Sequence, residues 1–406
     1  MDKYRTNKKY FTRNRNFSFK SLSLFIISSI QSSVQRELDR FFKEYNQKEF
    51  TGRFVTQSAF SQARLKIDPL AFDALTKVCV DFFYKHFKVK KWEGFRLVAI
   101  DGSEVYLPKN KHTIEQYGEY TTNFMNKSVV LARASKAYDV LNNITLDAQL
   151  VNRKIGEHTL AINHLEYLVE NDLILMDRGY PSYDIFRNIL EGNKHFCARV
   201  TTSSWKAVKK LIEPGDDELI TEIKPRPETI RRYKKEGIAY KPMKVRFISV
   251  KLSTGEIEVL VTSLLDSQRF PCHLFKNLYH LRWNVEESYK TDKHRLQLEN
   301  FSGKSVIGIM QDFYATILLA NITAIFASGV EPKTKSKKYR YKINFTTALA
   351  KVKEALQGIF TRENMMEWID FIYEELARNI IPFRPDRNYK RDKGKRKRYF
   401  RSYLHL

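Results

Sequence analysis

Acid is in short supply in this sequence. Against 71 lysines and arginines stand 46 aspartates and glutamates, which leaves a formal charge of +25 and a pI near 9.7. Such a surplus points first to a polyanionic partner, because cations that displace condensed counterions from phosphates gain affinity without reading sequence. It also suits a generally soluble basic protein, or one drawn to anionic lipid. Cysteine is scarcer still: Cys79, Cys197 and Cys272 lie far apart and form no CxxC pair. Neither a disulfide framework nor a cysteine zinc site is indicated, and a reducing cytoplasm fits. Long apolar runs are missing as well. "SLSLFIISSI" at 21–30 and "ATILLANITAIFASGV" at 315–330 fall short of the roughly 20 uninterrupted residues of a membrane span and lack signal-peptide form. Both read as core helices, so no membrane partner is expected.

What is present is a chain of 406 residues, 43% of them apolar, enough for a substantial core and two or three structural units. Residues 1–20 hold seven basic residues and one acidic one and read as a flexible basic arm. Helical apolar spacing fills 21–92, in "LFIISSIQSSVQRELDRFF", "TQSAFSQARLKI" and "PLAFDALTKVCVDFFYKHF". A helix pair with Ser58, Gln62, Arg64 and Lys66 near its polar face suits a DNA major groove; three short helices also serve as simple packing units.

The period then changes. "FRLVAIDGS" at 95–103 reads as a buried strand that ends in Asp101 and turns at Gly102. "SVVLARASKAYDVL" and "ITLDAQLV" read as a strand pair around Asn142-Asn143. A helix over "EHTLAINHLEYLVE" follows, then the strand "DLILMDRGY" ending in Asp177, a helix opened by Pro181, and the strand "KHFCARV". Strand, strand, strand, helix, strand, helix, strand is the order of a ribonuclease-H-like α/β fold. Residues 201–268 break the pattern and read as an inserted β subdomain, too strand-rich and long for a loop. The expected segments are the arm (1–20), a helical unit (21–92), the first part of the core (93–200), the β-rich insertion (201–268), the second part of the core (269–330), C-terminal helices (331–383) and a basic tail (384–406). The tail carries ten basic residues between Arg384 and Arg401.

Asp101 and Asp177 stand in matched contexts, each the first acid after an apolar strand and each followed within two positions by glycine. Adjacent parallel strands would set them side by side at one sheet edge. Such a pair repels unless a cation neutralises it, and hard oxygen ligands point to Mg²⁺ or Mn²⁺. Acids in this position also serve as caps or turn residues. In "YHLRWNVEESYK" at 279–290, helical counting puts Tyr279, Arg282, Glu286, Lys290 and Lys293 on one stripe, while Glu287 is rotated about 100° away. One acid flanked by cations suits a metal ligand beside phosphate-holding residues; a solvated helix laced with ion pairs carries the same pattern.

These residues resemble a known family. Asp101, Asp177 and Glu286 look like the acidic triad of DDE transposases. Tyr279, Arg282, Glu286 and Lys293 reproduce the Y-x2-R-x3-E-x6-K signature of bacterial insertion-sequence transposases of family four, and "DRGY" after the second strand is typical of that group. The likeness spans roughly 55–330, and its intervals of 76 residues (177 minus 101) and 109 residues (286 minus 177) suit a last acid lying beyond an insertion.

The resemblance implies a DNA transposase that excises an insertion sequence and joins it to a target. It implies two divalent ions about 3.5 to 4 Å apart, shared by Asp101 and held separately by Asp177 and Glu286. Tyr279, Arg282, Lys290 and Lys293 would clamp phosphates, with Arg178 a further phosphate contact or a plain surface arginine. Trp205 would stack against a flipped base or else pack in the core. The implied partners are duplex DNA, both terminal inverted repeats and target, and a second copy of the chain in the DNA complex, in a bacterial, nucleoid-associated cytoplasmic setting. Two alternatives share the fold: a metal-dependent nuclease without strand transfer, and a non-catalytic DNA-binding descendant of a transposase.

Overall fold

The computed structural model describes residues 2–13, 16–28, 32–122, 127–201, 205–213, 215–252, 255–333, 340–359 and 364–383; the basic tail, 384–406, lies outside the described residues. The chain opens with helices α1 (Phe19–Ile27), α2 (Val34–Tyr45), α3 (Gln57–Arg64) and α4 (Leu70–His86). Next come β1 (Arg96–Leu107), α5 (Lys111–Tyr117), β2 (Glu119–Thr122), β3 (Lys127–Asp139), β4 (Ile144–Asn152), α6 (Glu157–His164), β5 (Asp172–Met176), α7 (Tyr183–Glu191) and β6 (His195–Val200). After them run α8 (Lys206–Ile212), β7 (Glu218–Ile223), α9 (Pro227–Glu236), β8 (Met243–Lys251) and β9 (Ile257–Thr262). The chain continues through α10 (His273–His280), α11 (Trp283–His294), α12 (Val306–Ser328), β10 (Arg340–Ile343), α13 (Phe345–Gly358), α14 (Met365–Arg378) and β11 (Ile380–Phe383).

Two compact units divide the chain. One consists of Val89–Glu104 and Arg133–Tyr289; the other takes the residues up to Lys88, Val105–Ala132 and the residues from Lys290 onward. The main sheet runs β3-β1-β5-β6-β9-β8-β7, with β2 and β4 both paired to β3. This mixed sheet flanked by helices carries the ribonuclease-H-like order, with α5 and β2 inserted between its first two long strands. β1 pairs parallel with β5 from Arg96↔Asp172 to Ile100↔Met176, and β5 pairs parallel with β6. Leu97, Val98, Ala99, Ile100, Leu173, Ile174, Leu175 and Met176 are essentially inaccessible, as continuous apolar runs become when both faces of a parallel sheet are covered.

The β-rich insertion is not set apart from the core. β9 pairs antiparallel with β6, β8 with β9 and β7 with β8, so the three strands extend the core sheet and satisfy the hydrogen-bonding edge that β6 would otherwise expose. Trp205 stands at the position just before α8, without a side-chain capping bond, and packs its ring against Phe186 and Phe247.

In the other unit, helices from both ends of the chain share one core. Leu22, Phe25, Phe41, Phe60 and Phe72 cluster with Leu318, Leu319, Leu349 and Val352. In α2, Val34, Leu38, Phe41 and Phe42 fall at i, i+4, i+7 and i+8 and are the buried set. α12 is long and apolar enough to cross a membrane, yet 72% of its apolar window is buried inside the protein, where it packs on α4, α13 and α1. The described part of the N-terminal arm is tied down rather than free: Arg5 bridges to Ile67, and backbone bonds join Thr6 to Lys66 and Asp68 to Tyr4. Arg64 does not sit on the polar face of α3. It is 3% exposed and donates to Gln311 Oε1, Ser302 Oγ, the Gly308 carbonyl and Asp312 Oδ1 at 2.7 to 2.9 Å.

Candidate active site

The parallel register of β1 and β5 decides where the two aspartates stand. Pairing ends at Ile100↔Met176, so Asp101 and Asp177 are the next residues on neighbouring strands. There the β5 chain leaves the sheet in a turn closed by the Tyr180 N–H on the Asp177 carbonyl at 3.0 Å. Gly102 makes no matching turn, because β1 runs on through Asp101 to Leu107.

Asp177 is engaged from several sides. Tyr279 donates its hydroxyl to Oδ1 at 3.2 Å. Arg199, from β6, donates Nε to the same oxygen at 3.0 Å and brings Nη2 to 2.8 Å. Its other nitrogen meets Glu258 of β9 at 2.8 Å. Glu286 accepts from Arg282 Nη2 at 2.9 Å. The Arg282 guanidinium lies over the rings of Tyr279 and Trp283, 5.6 and 5.1 Å from their centroids. It is 2% exposed, and its buried Nε has no hydrogen-bond partner among the described residues.

The electrostatics follow from this crowding. Burial pushes the Asp101 carboxyl up to about 6; the Gly102 N–H and the Arg282 charge pull the other way, while Glu286 and Asp177 add to the rise. Asp177 has a net shift in the opposite direction: burial alone would raise it, but the Arg178 N–H and the charges of Arg282 and Arg199 bring it below the usual carboxylate value. Burial drives the Tyr279 phenol upward. Arg282 is held more firmly charged than usual, since Tyr279, Asp177 and Glu286 outweigh its desolvation.

The stripe counted along one helix is in fact carried by two. α10 ends at His280 and α11 starts at Trp283. Around this junction Leu281, Arg282, Asn284 and Val285 bond three residues back, a tightening that re-aims the chain. Tyr279 and Arg282 nevertheless reach Asp177 and Glu286. Glu287 is exposed, and so is Lys290. Lys290 and Lys293 continue α11 in the other unit, where Lys293 lies 3.7 Å from Glu299. Arg178 exposes its side chain and offers Asp177 only its backbone.

Arg199, Glu258 and Tyr289 join this constellation without having been singled out in the sequence. Arg199 had a faint signal, a lone cation inside the apolar strand "HFCARV". Tyr289, whose hydroxyl lies 3.0 Å from the Asp101 carbonyl, had none beyond its place one turn after Glu286.

Oxygen donors alone suit a hard divalent ion, and a buried carboxyl flanked by two more calls for a cation. Arginines occupy that electrostatic role in this arrangement. Among the described residues no three His, Cys, Asp or Glu side chains gather closely enough to hold a metal ion.

The chain is 22% identical over 274 residues to the transposase InsG for insertion sequence element IS4 of Escherichia coli strain K12, an alignment covering 66% of this chain and 60% of that relative. The chain thus spans about 60% of the length of that relative. A cryo-EM structure of a piggyBac transposase synaptic complex with hairpin DNA is similar over 94% of this chain and 81% of its own, with 9% identity and a TM-score of 0.43. The family described as Transposase DDE domain matches residues 92–322, more than half of the sequence and all three acids, and the chain belongs to that family.

Proposed function

We propose that this protein is a DNA transposase that cuts the ends of an insertion sequence and joins them to target DNA by metal-dependent phosphodiester chemistry. The observation that carries the proposal is the meeting of Asp101 and Asp177 at the end of the β1–β5 pair, with Glu286 electrostatically coupled to Asp101. Asp101, Asp177 and Glu286 are the residues that would hold Mg²⁺ or Mn²⁺, two ions in the family's manner. Bound there, the ions supply Lewis acidity to the attacking and leaving oxygens.

The chain's own residues position the DNA. Arg282 offers a phosphate a buried Nε, unpartnered among the described residues, and a rigid fork of donors. Tyr279 holds the Asp177 carboxylate from the helix side, and Arg199 can pass from Asp177 to Glu258 or to a phosphate oxygen. Lys290, Lys293 and Arg178 add backbone contacts. In the first step a water oxygen attacks phosphorus, the P–O bond to the 3′ oxygen breaks and that oxygen leaves as a hydroxyl, the water's proton balancing it; in the second that hydroxyl attacks a target phosphodiester, gives up its proton, and a target 3′ oxygen leaves as a hydroxyl. Trp205, packed on Phe186 and Phe247, supports the sheet rather than a flipped base. In the other unit, Lys8, Lys9, Arg13, Arg53 and Lys66 line one groove with Gln62 and, among the described residues, with no acidic one, a surface suited to a phosphate backbone. A pair of copies acting on paired DNA ends completes the reading.

The test is a supercoiled plasmid carrying candidate terminal repeats, incubated with the protein and Mg²⁺ or Mn²⁺. Joined products are the expected outcome. Cleavage without joining would assign a nuclease, and binding without cutting a scaffold.

A further inference from the structure

The hydroxyl of Tyr289 ties the helix that carries Glu286 to the strand that carries Asp101. Tyr289 lies three residues after Glu286 on α11 and is 5% exposed. Its hydroxyl faces two main-chain acceptors, the carbonyl of Asp101 on β1 at 3.0 Å and that of Ala134 on β3 at 3.3 Å. Its ring is covered by Lys136, itself 1% exposed, whose Nζ lies 4.8 Å from the ring centroid, a geometry in which cation and ring attract. A phenol has one proton to donate, so the two carbonyls share it, and the ring is fixed by the charge above it. Glu286 and Asp101 are therefore linked by one turn of helix, one hydroxyl and one peptide unit.

We infer that Tyr289 is a positioning residue for the acidic site, setting the Asp101 carboxylate against Glu286 through the Asp101 main chain. The inference rests on the transposase reading and adds a residue outside the Tyr279, Arg282, Glu286 and Lys293 signature. Groups that orient the ligands of a metal are typically worth about 10- to 100-fold in metal affinity or activity.

The test is Tyr289→Phe, which keeps the ring under Lys136 and removes only the hydroxyl, compared in the full-length protein with Ser288→Ala. Ser288 is a buried neighbour whose hydroxyl donates to the Val285 carbonyl at 2.7 Å. Two readouts are taken: the Mn²⁺ concentration giving half-maximal thermal stabilisation, and the cleavage rate constant at saturating DNA, the latter measured below the melting temperature of every variant. Tyr289→Phe is expected to raise the Mn²⁺ requirement about tenfold and slow cleavage about 10- to 100-fold, with unchanged DNA affinity in the absence of metal. Ser288→Ala is expected to match wild type in both. A Tyr289→Phe protein that melts lower but keeps the wild-type Mn²⁺ dependence and rate overturns the inference, since the hydroxyl would then serve only stability. Failure of the wild-type protein to cleave would instead count against the transposase reading.

Discussion

At the scale of single residues the decisive contrast is between Glu286 and Glu287. One carboxylate accepts from a buried arginine and contributes to the raised pKa of Asp101; its neighbour is exposed. Glu286→Gln is expected to lower DNA cleavage at least about a thousandfold, as loss of a member of a concerted catalytic set does, whereas Glu287→Gln stays within a few-fold. Equal losses, measured on one plasmid substrate, would remove Glu286 from the site. Lys353 on α13 supplies a second contrast. Burial pushes its ammonium down to about 8 from 10.5, with Glu37 opposing and Arg40 assisting. Between pH 8 and 10.5 the unfolded chain therefore binds the extra proton, and stability rises with pH across that window; below pH 8 the full cost remains. That cost is about 3 kcal/mol at most. Lys353→Met is expected to raise the urea midpoint at pH 7 and to flatten the rise above pH 8. An unchanged profile would show that the ammonium is not paying for burial.

At the scale of elements, α3 and α12 depend on one side chain. Arg64 reaches Gln311 and Asp312 on α12, the Gly308 carbonyl and Ser302, and leaves Gln311 and Asp312 facing an apolar group if it is replaced. Arg64→Met is expected to destabilise the protein by about 3 kcal/mol or more, the range for breaking a buried ion pair from one side. Ser58→Ala and Gln62→Ala, on the exposed face of α3, should leave denaturation unchanged. If they lower DNA affinity, α3 touches DNA through that face and not through Arg64. Strands show the same division between pattern and context. The apolar runs of β1 and β5 were readable from residue type, but the continuation of β1 past Gly102 was not, because glycine signals a turn only when no neighbouring strand holds the chain extended.

At the scale of the whole molecule, charge and topology each carry a prediction. With a formal charge of +25, DNA binding should weaken steeply with salt, the logarithm of affinity falling linearly with that of salt concentration at about −0.9 per phosphate neutralised. A flat salt response in a binding titration would rule out the basic groove as a backbone contact. The shared core of the N-terminal and C-terminal helices makes a second demand. A chain ending at Gly329 loses Leu349, Val352 and Leu356 from the cluster that holds Phe25, Phe41 and Phe60. Limited proteolysis should then cut within residues 16–88, which the full chain protects; equal protection would show that the N-terminal helices fold without α13.

The sequence by itself determined the chemistry on offer: an excess of cations, two aspartates at the ends of apolar strands, and the spacing that sets Glu286 apart from Glu287. Residue type and local period fix these, because apolar alternation and helical phase act within a few residues. Only the tertiary structure decided what the acids face. Arg199 reaches Asp177 because β6 lies beside β5, Glu258 reaches Arg199 because the insertion extends the sheet through β9, and Tyr289 reaches Asp101 because α11 packs there. Each partner is separated from its acid by 22 to 188 positions. Contacts of that range are set by strand pairing and packing, which no local pattern encodes.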